Sequence, residues 1–263
     1  MKNAKPRVVF GNKFEVVMTS FSKRLCGLVL ALLPSVSGAD ERATIDLIYE
    51  LGETRFQLAE YILRASSDYV ATNSDVSSRQ GHLALKSVLN GSKQFRSILA
   101  ISGDGELMYD SYNPLPFLGG ADLSQRRYFE RTTNNAPKEL VINRAVVGKQ
   151  SGELFMPLAM AVPNGLGRGQ KVVMLTAPPA AFMPNIHLCS FCGVSMLAGD
   201  EVIASNRPMS DVNEAVASRL EFDGPYGATE IRVRGMPVRV HWRRSDATGV
   251  VYLFYQARPI SPD

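Results

Sequence analysis

The sequence predicts an α+β protein: a long N-terminal helix followed by two lobes, each built on an antiparallel sheet. Three observations carry this. Residues 40–73 hold a stripe that alternates by four and three residues, the period of a helix. Two strand pairs are joined by tight polar turns, Ser102-Gly103-Asp104-Gly105 and Ala198-Gly199-Asp200-Glu201. The outline of hairpin, helical or irregular excursion, then further strands occurs twice along the chain. A length of 263 residues with 45% hydrophobic and 21% charged residues suits such an arrangement and excludes a disordered chain.

Ahead of the long helix, Lys23-Arg24 precede an apolar run from Leu25 to Leu33, followed by Pro34 and Ser37-Gly38-Ala39. A charged start, a short apolar middle and a small-residue end are the parts of a secretory signal. Nine apolar residues fall short of the roughly 20 that span a bilayer. Residues 1–39 are therefore expected to be a cleaved signal peptide, with Met18 a candidate start, and to act as a membrane anchor only if cleavage fails. The expected location is the periplasm or cell envelope.

The helical stripe is Ile45, Tyr49, Gly52, Phe56, Ala59, Leu63, Ser66 and Val70. With Gly52 and Ser66 in it, the stripe suits packing on the rest of the chain better than a zipper, although pairing with a second copy stays open. A second helix is expected over 78–89, stopped by Asn90-Gly91. Strands are then expected at 97–101, 106–109, 139–146, 153–162 and 171–177, with a polar segment at 110–138. The glycines of 163–169 lie between two strands, which makes them a hairpin loop rather than a phosphate cradle. Pro178-Pro179 and Pro184 mark a boundary. Beyond it come a hairpin at 194–204, a helix at 211–220 with Ser210 as N-cap, and strands at 228–234, 236–243 and 249–256. The expected division is 40–92 helical, 93–180 first lobe, 181–258 second lobe and 259–263 tail.

Charge excludes one class of function. The chain has 29 basic and 25 acidic residues, a net of +4, but residues 1–39 alone carry six basic residues and one acid. The other 224 are near neutral, so no cationic face is expected and nucleic acid is not a partner. No catalytic motif is present: there is no G-x-S-x-G, no H-E-x-x-H and no phosphate loop, and His82, His187 and His241 have no obvious partners. An enzyme is not expected, nor a cofactor. Cys189 and Cys192 are spaced to form a local disulfide in an oxidising compartment, with a redox-active dithiol as the sharper alternative. With His187 they reach at most three ligands, so a metal is not expected.

Four segments carry a resemblance. They are Ile98-Leu99-Ala100-Ile101-Ser102-Gly103-Asp104-Gly105-Glu106-Leu107-Met108-Tyr109, then Asp122-Leu123-Ser124-Gln125-Arg126-Arg127-Tyr128-Phe129, then Ser151-Gly152, and finally the stretch from Gly193 to Pro208. In order and spacing they resemble the double-Cache extracytoplasmic sensor domains of diguanylate cyclases and chemoreceptors, over nearly all of 40–258. The resemblance implies a PAS-like fold in each lobe and a small-molecule pocket in the membrane-distal one, here 93–180. It implies that Arg126 grips a ligand carboxylate, that Tyr128 and Phe129 wall the pocket, and that Asp122 belongs to the signature. A guanidinium fork matches a carboxylate, and aromatic rings add contact area. Tyr109 and Tyr112 can line the same pocket or be plain core. Asp122 and Arg126 can equally form a local ion pair that closes the loop.

The chain departs from the family at three places. Tyr128 stands where amino-acid sensors have Trp, the strand end Leu175-Thr176-Ala177-Pro178 lacks their Asp, and Ala159-Met160 replaces a Ser-Arg pair. An amino-acid ligand is therefore not expected. No transmembrane helix or output module follows residue 39, so the expectation is a membrane-bound signalling partner if the chain is intact, and otherwise a remnant or truncated receptor. The expected function is that of an exported small-molecule sensing or binding protein. The alternatives are a redox-active envelope protein and a ligand-free interaction module, in which the long helix makes a homodimer.

Overall fold

A helix of 33 residues, α1 (Asp40–Thr72), runs beside everything that follows. At about 1.5 Å per residue it is roughly 50 Å long, enough to cross two small sheets. The predicted stripe is its buried side: Ile45, Phe56, Ala59, Leu63, Ser66 and Val70 are all buried. The computed structural model describes residues 40–73, 76–114, 122–148, 151–163, 169–183, 189–207 and 210–257. The expected signal peptide, His187, most of the glycine loop and the tail lie outside these residues. No described helix is long and apolar enough to cross a membrane.

Helix α2 (Ser78–Leu89) opens with a capping box. The Ser77 hydroxyl accepts from the Gln80 N–H, and the Gln80 side chain accepts from the Ser77 N–H. It stops where Asn90-Gly91 predicts, with Gly91 at φ 95°.

The first sheet comprises β1 (Ser97–Ile101), β2 (Leu107–Asp110), β3 (Leu140–Ile142), β4 (Val146–Val147), β5 (Leu154–Ala161) and β6 (Val172–Ala177), with a short helix α3 (Arg127–Thr133) between β2 and β3. Its order is β2-β1-β6-β5-β3, with β4 also on β5. The single strand expected over 139–146 is broken. Pro157 of β5 stands opposite the break and has no N–H to continue the ladder, so the pairing lapses at Asn143 and resumes at Val146. The Asn143 N–H donates to the Pro157 carbonyl at 3.0 Å, and the Ala145 N–H reaches Ile203 in the second sheet at 3.4 Å.

The second sheet comprises β7 (Cys192–Ala198), β8 (Glu201–Ser205), β9 (Tyr226–Val233), β10 (Met236–Arg244) and β11 (Val250–Ala257), with helix α4 (Ser210–Arg219) after β8. Its order is β8-β7-β11-β10-β9. Helix α4 begins at Ser210 itself, one residue before its expected start. In both sheets the last strand returns to pair with the first, β6 on β1 and β11 on β7, so the repeated outline is a repeated topology.

Strand alternation then sorts side chains into layers. Ile98, Leu158 and Leu175 of the first sheet and Val194, Met196 and Tyr252 of the second form one continuous core beneath α1. Phe182, in a 3-10 turn at Pro179–Phe182 between the sheets, is fully buried in it, 4.6 Å centroid to centroid from Phe56. The opposite face of the first sheet carries α3, and that of the second carries α4.

Helix α1 is bolted to the second sheet by polar contacts. Glu53 is buried and accepts hydrogen bonds from Tyr252 Oη at 2.7 Å, Ser245 Oγ at 2.8 Å and Thr248 Oγ1 at 3.3 Å. Burial first, then the bond to Glu53, push the Tyr252 phenol far above its ordinary range. Gly52 permits this approach: a Cβ there would lie 2.2 Å from the Tyr252 ring. Arg243 stacks over Tyr49 at 3.7 Å and pairs with Asp46 at 2.7 Å. Further along the second sheet, the sole tryptophan, Trp242, sits over Gly227 and edge-on to Phe222.

Candidate functional site

The site predicted from sequence is built on the α3 face of the first sheet. The segment leading into α3 is pinned to the β1–β2 turn: Asp122 bridges Glu106, and the Leu123 N–H donates to the Gly105 carbonyl at 2.8 Å. Gly105 has φ 89°, and a Cβ there would meet the Ser124 backbone at 2.5 Å, so this docking needs glycine. Asp122 is exposed, and its carboxylate accepts from the Ser124 N–H at 2.8 Å. It shapes the loop that delivers Arg126.

Arg126 sits immediately before α3 and half-buries its side chain. Its Nε is buried and has no hydrogen-bond partner among the described residues. Tyr128 and Phe129, 5% and 6% exposed, turn inward from α3 onto Ile101, Leu123, Ala159, Val172 and Met174. Burial raises the Tyr128 phenol above its ordinary value, and the nearby Arg126 charge partly offsets this. The guanidinium and the phenol therefore share one neighbourhood. The structure brings Arg126 near Tyr128 at the start of α3, while Tyr128 and Phe129 fill the apolar layer between α3 and the sheet and Asp122 holds the loop before them.

Tyr109 is not among them. It belongs to the opposite face, where its ring packs against Gly81 of α2 and its hydroxyl donates to the Val76 carbonyl at 3.2 Å. The cause is parity. Tyr109 pairs with Ala100, and Ala100 faces α1. Tyr112 is exposed beneath the Arg96 guanidinium rather than part of that layer.

Two arrangements were not visible in the sequence. The outward side of α3 carries Arg127 and Arg131, both paired with Glu201 of the second sheet. They border a cleft of about 460 Å³ between the sheets, lined also by Asn135, Leu140 and Asp200. α3 thus touches the candidate site with one side and the second lobe with the other. In the second lobe, Ser195 Oγ donates to Asn213 Oδ1 at 2.6 Å, and burial raises the neighbouring Tyr255 phenol.

Cys189 and Cys192 are joined in a disulfide that closes the turn before β7, with the Cys192 N–H donating to the Cys189 carbonyl. Among the described residues no cluster of three His, Cys, Asp or Glu is placed to hold a metal.

No family model matches the sequence, and no curated protein matches it. Solved structures do match the fold. The extracellular domain of a histidine kinase, rpHK1S-Z16, superimposes with a TM-score of 0.68 at 20% identity, over 83% of this chain and 95% of that one. The ligand-binding domain of the Pseudomonas fluorescens chemoreceptor CtaA, in complex with L-alanine, gives 0.59 at 11% identity over 84% and 96%. The sensor domain of the V. cholerae histidine kinase DctB gives 0.55 at 14% identity over 84% and 97%. The long helix, the two antiparallel sheets and their order along the chain are thus the fold of extracellular sensor domains of histidine kinases and chemoreceptors, as the double-Cache resemblance implied.

Proposed function

We propose that the protein is an exported small-molecule sensing or binding protein whose ligand sits against Arg126, Tyr128 and Phe129. The observation that carries this reading is the buried Nε of Arg126, which has no hydrogen-bond partner among the described residues and lies near the Tyr128 phenol. A buried donor without an acceptor costs about 1–3 kcal/mol, a cost that a bound anion removes. Similarly folded domains crystallised with amino acids, Mlp24 with asparagine and CtaA with L-alanine, support a ligand site in this fold. Residues 1–39 serve as the export signal. A broad panel of carboxylates, sugars and polyamines in a thermal-shift assay tests the reading. One class raises the melting temperature of the wild type, and Arg126→Ala abolishes that rise while leaving the apo melting temperature within a few degrees. No shift across the panel counts against the reading.

A homodimer through α1 is the second part of the proposal, and one observation favours it. The predicted stripe is used up by the chain's own sheets. A neighbouring stripe, Leu47, Leu51, Thr54, Leu58 and Tyr61, again alternates by four and three, with Leu47 54% and Tyr61 73% exposed. In a parallel pair of these stripes Glu50 of one copy faces Arg55 of the other, five residues on, which is the charge spacing of a two-stranded coil. Sedimentation equilibrium reads the outcome: the wild type dimerises, and Leu47→Glu with Tyr61→Glu gives a folded monomer. An unchanged mass removes this surface from the dimer.

A further inference from the structure

We infer that the Cys189–Cys192 disulfide is a thiol–disulfide exchange site: a dithiol of a partner protein reduces it through Cys189 and leaves the fold of the second lobe intact. The two cysteines are unequally placed. Cys189 is exposed, as are Ser190 and Phe191, whereas Cys192 is 3% exposed and belongs to the core beneath α1. An incoming thiolate therefore meets Cys189 first. Exposed disulfides are the readily reduced ones, while enclosed ones resist reduction.

The loop is also too short for an effective staple. The bridge joins residues three apart in sequence, and the chain entropy that a disulfide removes from the unfolded state grows with loop length. The turn has contacts of its own that do not pass through sulfur. The Cys192 N–H donates to the Cys189 carbonyl at 3.0 Å, the Ala257 N–H to the Phe191 carbonyl at 3.0 Å, and Arg207 Nη1 to the Ser190 carbonyl at 2.7 Å. Cys192 is also held in β7, opposite Gln256 of β11. None of these contacts needs the S–S bond, so the chain folds in both redox states.

The surroundings of Cys189 suit a thiolate. Gln256 Nε2 donates to Cys189 Sγ at 3.7 Å, and the Arg207 guanidinium is fixed at the neighbouring residue, Ser190. A donor and a nearby cation both stabilise the anion that Cys189 becomes on reduction, whereas the apolar surroundings of Cys192 favour its neutral thiol. Phe191, 52% exposed between the two cysteines, gives the partner an apolar contact beside the reacting sulfur.

One thiolate of the partner attacks Cys189 Sγ. A new S–S bond forms to the partner, the Cys189–Cys192 bond breaks, and the Cys192 sulfur leaves and takes up a proton. The partner's second thiolate then attacks the partner's own sulfur in this mixed disulfide and releases Cys189 as a thiolate. The pair gains two electrons, and the partner's dithiol becomes a disulfide.

The full-length chain has three cysteines, so Cys26→Ser leaves this pair alone. In that background dithiothreitol, a dithiol probe, reduces the pair without denaturant, read by alkylation and mass spectrometry. The far-ultraviolet circular dichroism is retained, and the melting temperature falls by less than about 10 °C. Adding Cys192→Ser leaves Cys189 as the free thiol, and adding Cys189→Ser leaves Cys192. The first variant reacts with dithiodipyridine, a chromogenic disulfide, at least about tenfold faster than the second at neutral pH. Equal rates overturn the inference. So does a pair that dithiothreitol reduces only in urea, or a fold lost on reduction; either result makes the bridge a staple.

Discussion

Replacing Glu53 by alanine lowers the unfolding free energy by about 3 kcal/mol, read from urea denaturation at neutral pH. The hydroxyls of Tyr252, Ser245 and Thr248 all point at this one carboxylate, and the first two are buried with it. Removing it strands them in a site closed to water, and each hydrogen bond to a charged group is worth about 1.5–3 kcal/mol. The sum falls below three such bonds because Glu53 no longer has to be desolvated. Glu53→Gln keeps two lone-pair acceptors and costs about 1 kcal/mol, and Tyr252→Phe, which removes one donor, costs a similar amount. Equal stability of Glu53→Ala and the wild type shows that the three hydroxyls find other partners and that α1 does not depend on this contact.

Phe182→Ala costs about 4 kcal/mol, within the usual range for a buried aromatic truncated to a methyl. Phe182 is fully buried where the chain passes from the first sheet to the second, stacked on Phe56 at 4.6 Å and within 6.3 Å of Phe95. The cavity opens in the one core shared by both sheets, so neighbours from two directions must collapse to fill it. Phe182→Leu retains most of the volume and costs roughly half as much. Guanidinium denaturation of the two variants measures the ratio. A cost below about 1 kcal/mol for Phe182→Ala means that the site collapses freely and the core is looser than its burial suggests.

Sequence patterns reached the elements because those patterns are local. The period of α1, the capping and stop residues of α2 and the two glycine turns each act within a few positions, and each marks its element to within a residue or two. The break between β3 and β4 depends on Pro157, a residue on a different strand, and only the pairing of that strand reveals it. The same distinction governs the site. Arg126, Tyr128 and Phe129 stand together because they flank one helical turn, whereas the place of Tyr109 depends on which face of the sheet β2 presents, and that is fixed by its pairing with β1. A signal was present: Gly81 interrupts an otherwise side-chain-bearing α2 and is the notch that receives the Tyr109 ring. Glu53 and Glu201 carried no such mark. Glu53 lies directly beside Gly52 in the buried stripe, and Glu201 reads as an ordinary turn residue until Arg127, 74 positions away, is brought against it.

Trp242 has a use that its packing does not suggest. Its indole is the chain's only one, and it is enclosed in the second lobe by Phe222 and Gly227, in the core beneath α4. Tyr128 and Phe129 belong to a different cluster, on the other sheet. Intrinsic emission excited at the red edge of tyrosine absorption therefore comes from the half of the molecule that does not hold the proposed ligand. A spectral change on adding ligand then measures communication between the halves without a label, and a silent indole together with a calorimetric signal measures binding that stays where it began.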